Sequence, residues 1–379
     1  MVLTPVLVLL DFRSPLGFWT RTEFFTPYAE NNNQVTSFSE VFGLTQTMWL
    51  CAGAATFVVT PFRQLVRQTS FLCLCGVLVL LWLVTAARTG IDQTTVHAVL
   101  TVLGPLVAAT LLLTNANLTT WSIRAMVTAW VIAVSGFVAA TLVLRLHTGQ
   151  LGQRFDVSIL GSPTYTGAVL AATLPLVFAA YGSNWFRLAL GVSLGLGLVL
   201  TQTRGAVLGL GVACVVLAAW LPYARWIIIG GFGVAIAAFL GFGVRPLFTL
   251  SDPSDTLRRA DLSRHWALFL RRPWFGYGLA RSTLTDGITD NSLLEVLDRA
   301  GVVAFGLWLV AWLQPLVRAM RLGGRRQAVA PAAASLLATV GTWVTTGNQV
   351  LNYVPPTSFL PPLLAVALLT STSVSPSGP

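Results

Sequence analysis

Lysine is absent: all 23 basic residues of this 379-residue chain are arginine. Charge of either sign is scarce, at 9% of residues, where water-soluble domains carry about 25%. With 13 acidic residues the formal net charge is +10, and 55% of the chain is hydrophobic, with a mean hydropathy of +0.75. These shortages exclude an ordinary soluble domain and indicate a polytopic membrane protein. Nucleic-acid binding is excluded too, because no soluble basic domain exists to carry it. Cysteine is rare, and Cys51, Cys73, Cys75 and Cys214 all lie in apolar runs. Cys73 and Cys75, two apart, take different faces of a helix. They form neither a disulfide framework nor a metal set. His97, His147 and His265 are scattered, without zinc spacing. Walker and Rossmann fingerprints are missing, so neither cofactor nor metal is expected. No basic n-region precedes the first apolar run, so no cleavable signal peptide is expected.

What the chain does have is length in apolar runs. A spanning helix needs about 20 mostly apolar residues. Runs occur at 41–60, 71–87, 94–113, 121–146, 164–181, 186–202, 205–220, 225–243, 291–315, 330–347 and 356–372. The run at 1–10 is too short for a full span unless a first helix continues past it. Together they predict an all-α bundle of about twelve transmembrane helices, a single integral-membrane domain over 1–379. Only Thr203 and Arg204 separate 186–202 from 205–220, which implies a tight hairpin or a broken helix. Gly191 and Gly195, and Gly205 and Gly209, are each four apart, as close helix packing requires.

Arginine in short loops marks the cytoplasmic side. With residues 1–10 counted as a span from a cytoplasmic N-terminus, the cytoplasmic loops hold Arg63, Arg67, Arg124, Arg187, Arg225, Arg318, Arg321, Arg325 and Arg326. The opposite orientation would expose the Arg318–Arg326 cluster outside. The consistent choice places Arg204 and the loop 244–290 on the extracytoplasmic side.

That loop is the polar island of the chain. Arg258, Arg259, Arg264, Arg271, Arg272 and Arg281 crowd with Asp252, Asp255, Asp261, Asp286 and Asp290. A solvated, salt-bridged loop explains such a cluster. So does an anion site, for which arginine's planar, bidentate fork is suited. The segment His265–Leu270 reads as a short helix on the membrane surface, anchored by Trp266 and Trp274. Arg258 and Arg259 diverge by about 100° on a helix, so only one faces a given ligand. Arg271 and Arg272 are assigned to lipid headgroups or solvent. Pro273, Gly276 and Gly278 force a turn. Asp290 or Asn291 can cap the next helix, with Glu295 near the capping-box position. Alternatively Asp290 is a general base at the arginine site. Asp298 and Arg299 are expected to pair with each other or with neighbours. Arg204, between two apolar helices, has little stem to hide and is a candidate functional charge.

The order Thr201-x-Thr203-Arg204-Gly205-Ala206-x-Leu208-Gly209-Leu210, then Trp266-Ala267-Leu268 with Pro273-x-x-Gly276-Tyr277-Gly278, then Asp290-Asn291-Ser292-Leu293-Leu294-Glu295 ending at Gly301, resembles the O-antigen ligase/O-antigen polymerase family of bacterial membrane glycosyltransferases. The resemblance is specific from about Leu200 to Gly306. It implies a GT-C-type fold, a glycan donor on undecaprenyl pyrophosphate, a glycan or lipid-linked acceptor, and transfer at the extracytoplasmic face without metal or nucleotide. It implies that arginines hold the pyrophosphate, a role that maps onto Arg204 and then onto Arg259 or Arg264, with Arg258, Arg281 and Asn291 as further binding residues. Ligases of the family carry His-Asn where this chain has Asp290-Asn291. That departure favours a polymerase or another glycan transferase over a lipid A-core ligase. The rivals are a transporter or flippase, and a non-catalytic envelope scaffold. Transporters show paired broken helices and midplane charge, whereas the candidate charges here gather at one face.

Overall fold

A computed structural model describes residues 44–65, 68–88, 90–91, 104–115, 119–149, 154–157, 160, 163–222, 225–226, 228, 253–278, 291–321, 326–345 and 359–374. Among them the secondary structure is all helical. The helices are α1 (Leu44–Val59), α2 (Phe62–Leu65), α3 (Thr69–Arg88), α4 (Gly104–Asn115), α5 (Thr120–His147) and α6 (Pro163–Thr173). After a 3-10 turn at Leu174–Ala179 come α7 (Asn184–Thr201), α8 (Arg204–Trp220), α9 (Pro253–Arg271), α10 (Ser292–Met320), α11 (Arg326–Thr345) and α12 (Leu360–Val374).

By length and composition, Thr69–Arg88, Thr120–His147, Asn184–Thr201 and Leu293–Arg318 can cross a bilayer, and five further apolar helices are shorter. The chain is thus a multi-pass membrane protein. Val58, Val59, Phe62 and Val215 are exposed, as a lipid-facing surface allows. Hydroxyls inside the apolar helices bond back to the preceding turn, as Thr85 does to the Leu81 carbonyl (2.6 Å) and Thr141 to Phe137 (2.8 Å). No polar hydrogen of these threonines then meets hydrocarbon unpaired.

The apolar runs predict most of these elements, with physical exceptions. The run 164–181 is not one helix. Pro175 lacks the N–H that would continue α6, and the chain tightens into the 3-10 turn there. The interfacial helix expected at His265–Leu270 is α9, 19 residues long, and it includes Arg258, Arg259 and Arg264. The run 291–315 becomes a helix reaching Met320 that is broken at Gly301 (φ 72°, ψ 177°). Residues 1–10, and 225–243 apart from three positions, lie outside the described residues.

Packing fixes which helix ends lie together. α7 runs parallel to α5: the Ser193 hydroxyl donates to the Ser135 carbonyl (3.2 Å), and Gly197 meets Val138. α8 runs antiparallel to α11: Gly209 meets Ala338 and Thr342, while Ala213 and Leu217 pack with Ala330 and Ala334. A methyl group on Gly209 would lie 2.5 Å from the Ala338 carbonyl oxygen, so only glycine allows this approach. The other expected pair is not a seam, since a methyl on Gly191 meets nothing within 4 Å. A core of Trp308, Trp312, Trp343 and Phe359 locks α10, α11 and the start of α12 together, with ring centroids 5.5–6.4 Å apart.

The arginines separate by end. At one end of α5 and α7, Arg124 Nε donates to the Ala179 carbonyl (3.0 Å) and Arg187 Nε to Ala180 (3.0 Å). At the other end lie Arg145, Arg154 and Arg204. Arg124 and Arg187, both expected in short loops of one side, thus share an end away from Arg204.

Candidate functional site

The α7–α8 connection is short because Gln202 takes a left-handed conformation (φ 53°) that ends α7 at once. α8 then begins at Arg204. The helices diverge, α7 toward α5 and α8 toward α11, so Arg204 stands at the mouth of a splayed hairpin. Buried threonines hold this turn. Thr201 Oγ1 donates to Leu198 (2.7 Å) and Thr203 Oγ1 to the Pro163 carbonyl (3.1 Å). Gly167 of α6 faces both, and a methyl there would sit 2.9 Å from Thr203.

An extended strap, Arg154–Val157, crosses the same turn. Phe155 N donates to the Leu200 carbonyl (2.9 Å). Arg154 Nε donates to the Thr201 carbonyl (3.3 Å) and Val157 N to Thr166 Oγ1 (3.1 Å). Arg145 at the end of α5 pairs with the buried Asp156. It also donates to the Arg154 carbonyl (2.9 Å) and lies over the Phe155 ring at 5.2 Å. Arg145, Arg154 and Arg204 thus gather at this turn with the buried Asp156. A cation beside the C-terminal carbonyls of α7 is well placed against the helix dipole.

The second half of the site is built at the break in α10. An unbroken helix would bond Val302 N to the Asp298 carbonyl and Val303 N to Arg299. Gly301 cancels both bonds, and the turn Pro273–Gly278 takes them over. Tyr277 N donates to Asp298 O (2.9 Å) and Gly278 N to Arg299 O (2.8 Å), while Val302 N donates to Pro273 O (2.7 Å) and Val303 N to Trp274 O (3.5 Å). Four backbone groups that would otherwise be costly to bury are thereby paired. The approach needs glycine. A methyl on Gly276 would lie 2.3 Å from the Arg299 carbonyl carbon, and one on Gly301 2.3 Å from that of Trp274. Gly278 meets Thr85 of α3 in the same way, at 2.7 Å. Arg272 lies over the Tyr277 ring at 4.7 Å.

Behind this junction is a buried ionic group. His265 Nδ1 of α9 meets Asp298 Oδ2 of α10. Glu295 and Arg299 pair one turn apart at 3.1 Å, with side chains 1% and 5% exposed. Asp298 and Arg299 therefore pair with neighbours and not with each other. Glu295 does not close a capping box, since its carboxylate points to Arg299. The cap is Asn291. Its Oδ1 accepts from Leu294 N (3.0 Å), and its Nδ2 donates across to the Val344 carbonyl of α11 (2.8 Å).

Of the expected site residues, Arg204 and Asn291 come to the same end of α11. Arg204 opens α8 one turn above the Gly209–Ala338 contact, and Asn291 bonds Val344. Arg264 is exposed on α9 beside the buried His265. Arg258 and Arg259 share that helix by backbone position. Asp290 and Arg281 lie outside the described residues. Sequence reasoning passed over Arg145, Arg154, Asp156 and His265. The Arg145–Asp156 pair joins a helix end to a loop without periodicity. His265 offered only its place next to Arg264.

Residues 188–309 match the family model described as O-antigen ligase. No curated protein matches the chain. The matched stretch, about a third of the chain, contains Arg204, the arginine-rich α9, the Gly276–Gly301 junction and Asn291, and it is there that the chain is similar to the O-antigen ligase family.

Proposed function

We propose, from the match of residues 188–309 to the O-antigen ligase family model, that the protein is a metal-independent glycosyltransferase of the bacterial inner membrane. It moves a glycan from an undecaprenyl-pyrophosphate donor to a glycan or lipid-linked acceptor at the extracytoplasmic face. Polymerisation is favoured over transfer to lipid A-core, because Asp290 stands where ligases of the family carry histidine. The carrying observation is that α8 and α10 deliver Arg204 and Asn291 to one end of α11, with the strap bringing Arg154 beside them.

In this reading the donor's lipid tail stays in the bilayer and its diphosphate meets the arginines. The acceptor hydroxyl attacks the anomeric carbon. The bond from that carbon to the diphosphate oxygen breaks, and the electron pair leaves on the diphosphate. Arg204, with Arg258, Arg259, Arg264 and Arg281 as further donors, stabilises that developing charge. Asp290 takes the hydroxyl proton. Because Asn291 already caps α10, Asp290 is not needed as a cap, which supports the base assignment. The segregation of Arg124 and Arg187 from Arg145, Arg154 and Arg204 supports the orientation. A GT-C-type bundle of about twelve helices accommodates this arrangement.

The test is Arg204→Ala in purified protein supplied with a lipid-linked oligosaccharide. Glycan transfer is expected to fall by 100-fold or more, on the order seen when one charge-stabilising donor is removed, while membrane accumulation is unchanged. Full transfer by the variant would sink the assignment. Asp290→Asn, also expected to be inactive, separates base from bystander.

A further inference from the structure

We propose that His265 and Asp298 form a clasp that positions the arginine helix α9 on the site, and that they act as positioning residues for the donor diphosphate. The proposal rests on the donor reading given above and adds to it two residues from the buried ionic group.

Few of the described side chains of α9 are buried. Leu262, Ser263, Arg264, Trp266, Ala267, Leu270 and Arg271 are exposed, and within the described side chains of the helix only His265 is buried. It is 7% exposed, and its partner Asp298 is 4% exposed. Leu268 and Phe269 are half-buried, and among the described side chains His265 makes the one fully buried contact by which α9 is placed. The charges facing the pair are Glu295 and Arg299 on α10, which bind each other. Their mutual engagement leaves the Asp298 carboxylate to the imidazole. Burial gives the contact its consequence: removing one partner leaves an uncompensated polar or charged group inside.

The neighbouring geometry converts a local contact into a placement. Asp298 also accepts Tyr277 N through its backbone carbonyl, and Arg299 accepts Gly278 N. One turn of α10 thus holds both α9, through His265, and the turn that follows α9, through Asp298 and Arg299. The next residue before His265 is Arg264, and Arg258 and Arg259 lie up to two turns earlier on the same helix. A shift of His265 moves all three arginines together relative to Arg204.

The test uses full-length protein in nanodiscs and a sugar-free polyprenyl diphosphate as probe. Asp298→Asn and His265→Gln keep shape and are chosen to fold; Asp298→Ala and His265→Ala are the harsher pair. Hydrogen exchange of residues 258–278 reports the position of α9, and titration reports probe affinity. The expected result is faster exchange over 258–278 and at least 10-fold weaker probe binding in the alanine variants. Partial recovery is expected in the conservative ones, and the double variant should be no worse than either single. Ser263→Ala, on the exposed face of α9, should bind as wild type. Unchanged exchange, or faster exchange with unchanged affinity, overturns the clasp. Wild-type protein that fails to bind the probe overturns the donor reading as well, so the two failures are distinguishable.

Discussion

Asn291 serves two helices with one amide. Its oxygen satisfies a free N–H of the first turn of α10, and its nitrogen satisfies a carbonyl near the end of α11. Asn291→Ala should therefore lower stability by about 1 kcal/mol for the cap alone, plus the lost tether to Val344. Asn291→Asp keeps the cap acceptor and removes the donor, so its thermal midpoint should lie between wild type and alanine. A midpoint for Asn291→Asp equal to that of Asn291→Ala would mean the cap adds nothing. At this scale the sequence was partly readable. A cap at 290–291 follows from residue type, because asparagine and aspartate share the chemistry that makes caps. Which of the two serves was not readable, since it depends on the Val344 carbonyl more than fifty residues away. His265 was unreadable for the same reason. A lone histidine between Arg264 and Trp266 carries no sign of a carboxylate 33 residues later.

At the scale of elements, the break in α10 is the feature that joins loop to bundle. Gly301→Ala should fail to accumulate as folded protein. Its backbone sits at φ 72°, and its methyl would meet the Trp274 backbone at 2.3 Å, a positive-φ and backbone clash that together cost several kcal/mol. Gly306→Ala is the control. Nothing lies within 4 Å of a methyl at that site, and alanine favours a helix interior by up to about 1 kcal/mol, so detergent-solubilised protein should melt no lower than wild type. If both variants melt alike, the junction at Gly301 is not what holds the turn. The sequence displayed both halves, Pro273-x-x-Gly276-x-Gly278 as a turn and Gly301 as the end of the motif that starts at Asp290-Asn291. Their pairing stayed hidden because backbone hydrogen bonds between distant segments leave no periodic mark. Apolar runs, by contrast, gave α3, α5, α7 and α8 nearly to their ends, since bilayer solvation demands an apolar stretch whatever its neighbours are.

For the whole molecule, the relation between Arg204 and Asn291 depends on the seam between α8 and α11. There Gly209 and Gly341 approach so closely that a methyl on Gly341 would lie 2.9 Å from Gly209 Cα. Gly209→Leu should push α8 off α11, carry Arg204 away from Asn291, and reduce glycan transfer at least 10-fold with α7 and α5 undisturbed. Transfer at the wild-type rate would show that the two residues need not share an end. The separation of Arg124 and Arg187 from Arg204 was legible from loop charge, because few ionic groups exist and each must find water, headgroups or a partner, whereas Arg145 and Arg154 were not assigned.

The exchanged hydrogen bonds at Gly301 also set an order of events during synthesis. Pro273–Gly278 leave the ribosome before Val302 and Val303 are made, and Asp298 follows His265 by 33 residues. The arginine helix must therefore reach its side of the membrane with no partner waiting. It stays undocked until α10 inserts behind it. A nascent chain arrested before Gly301 should be cut by trypsin across 258–272, and a chain released beyond Met320 should not.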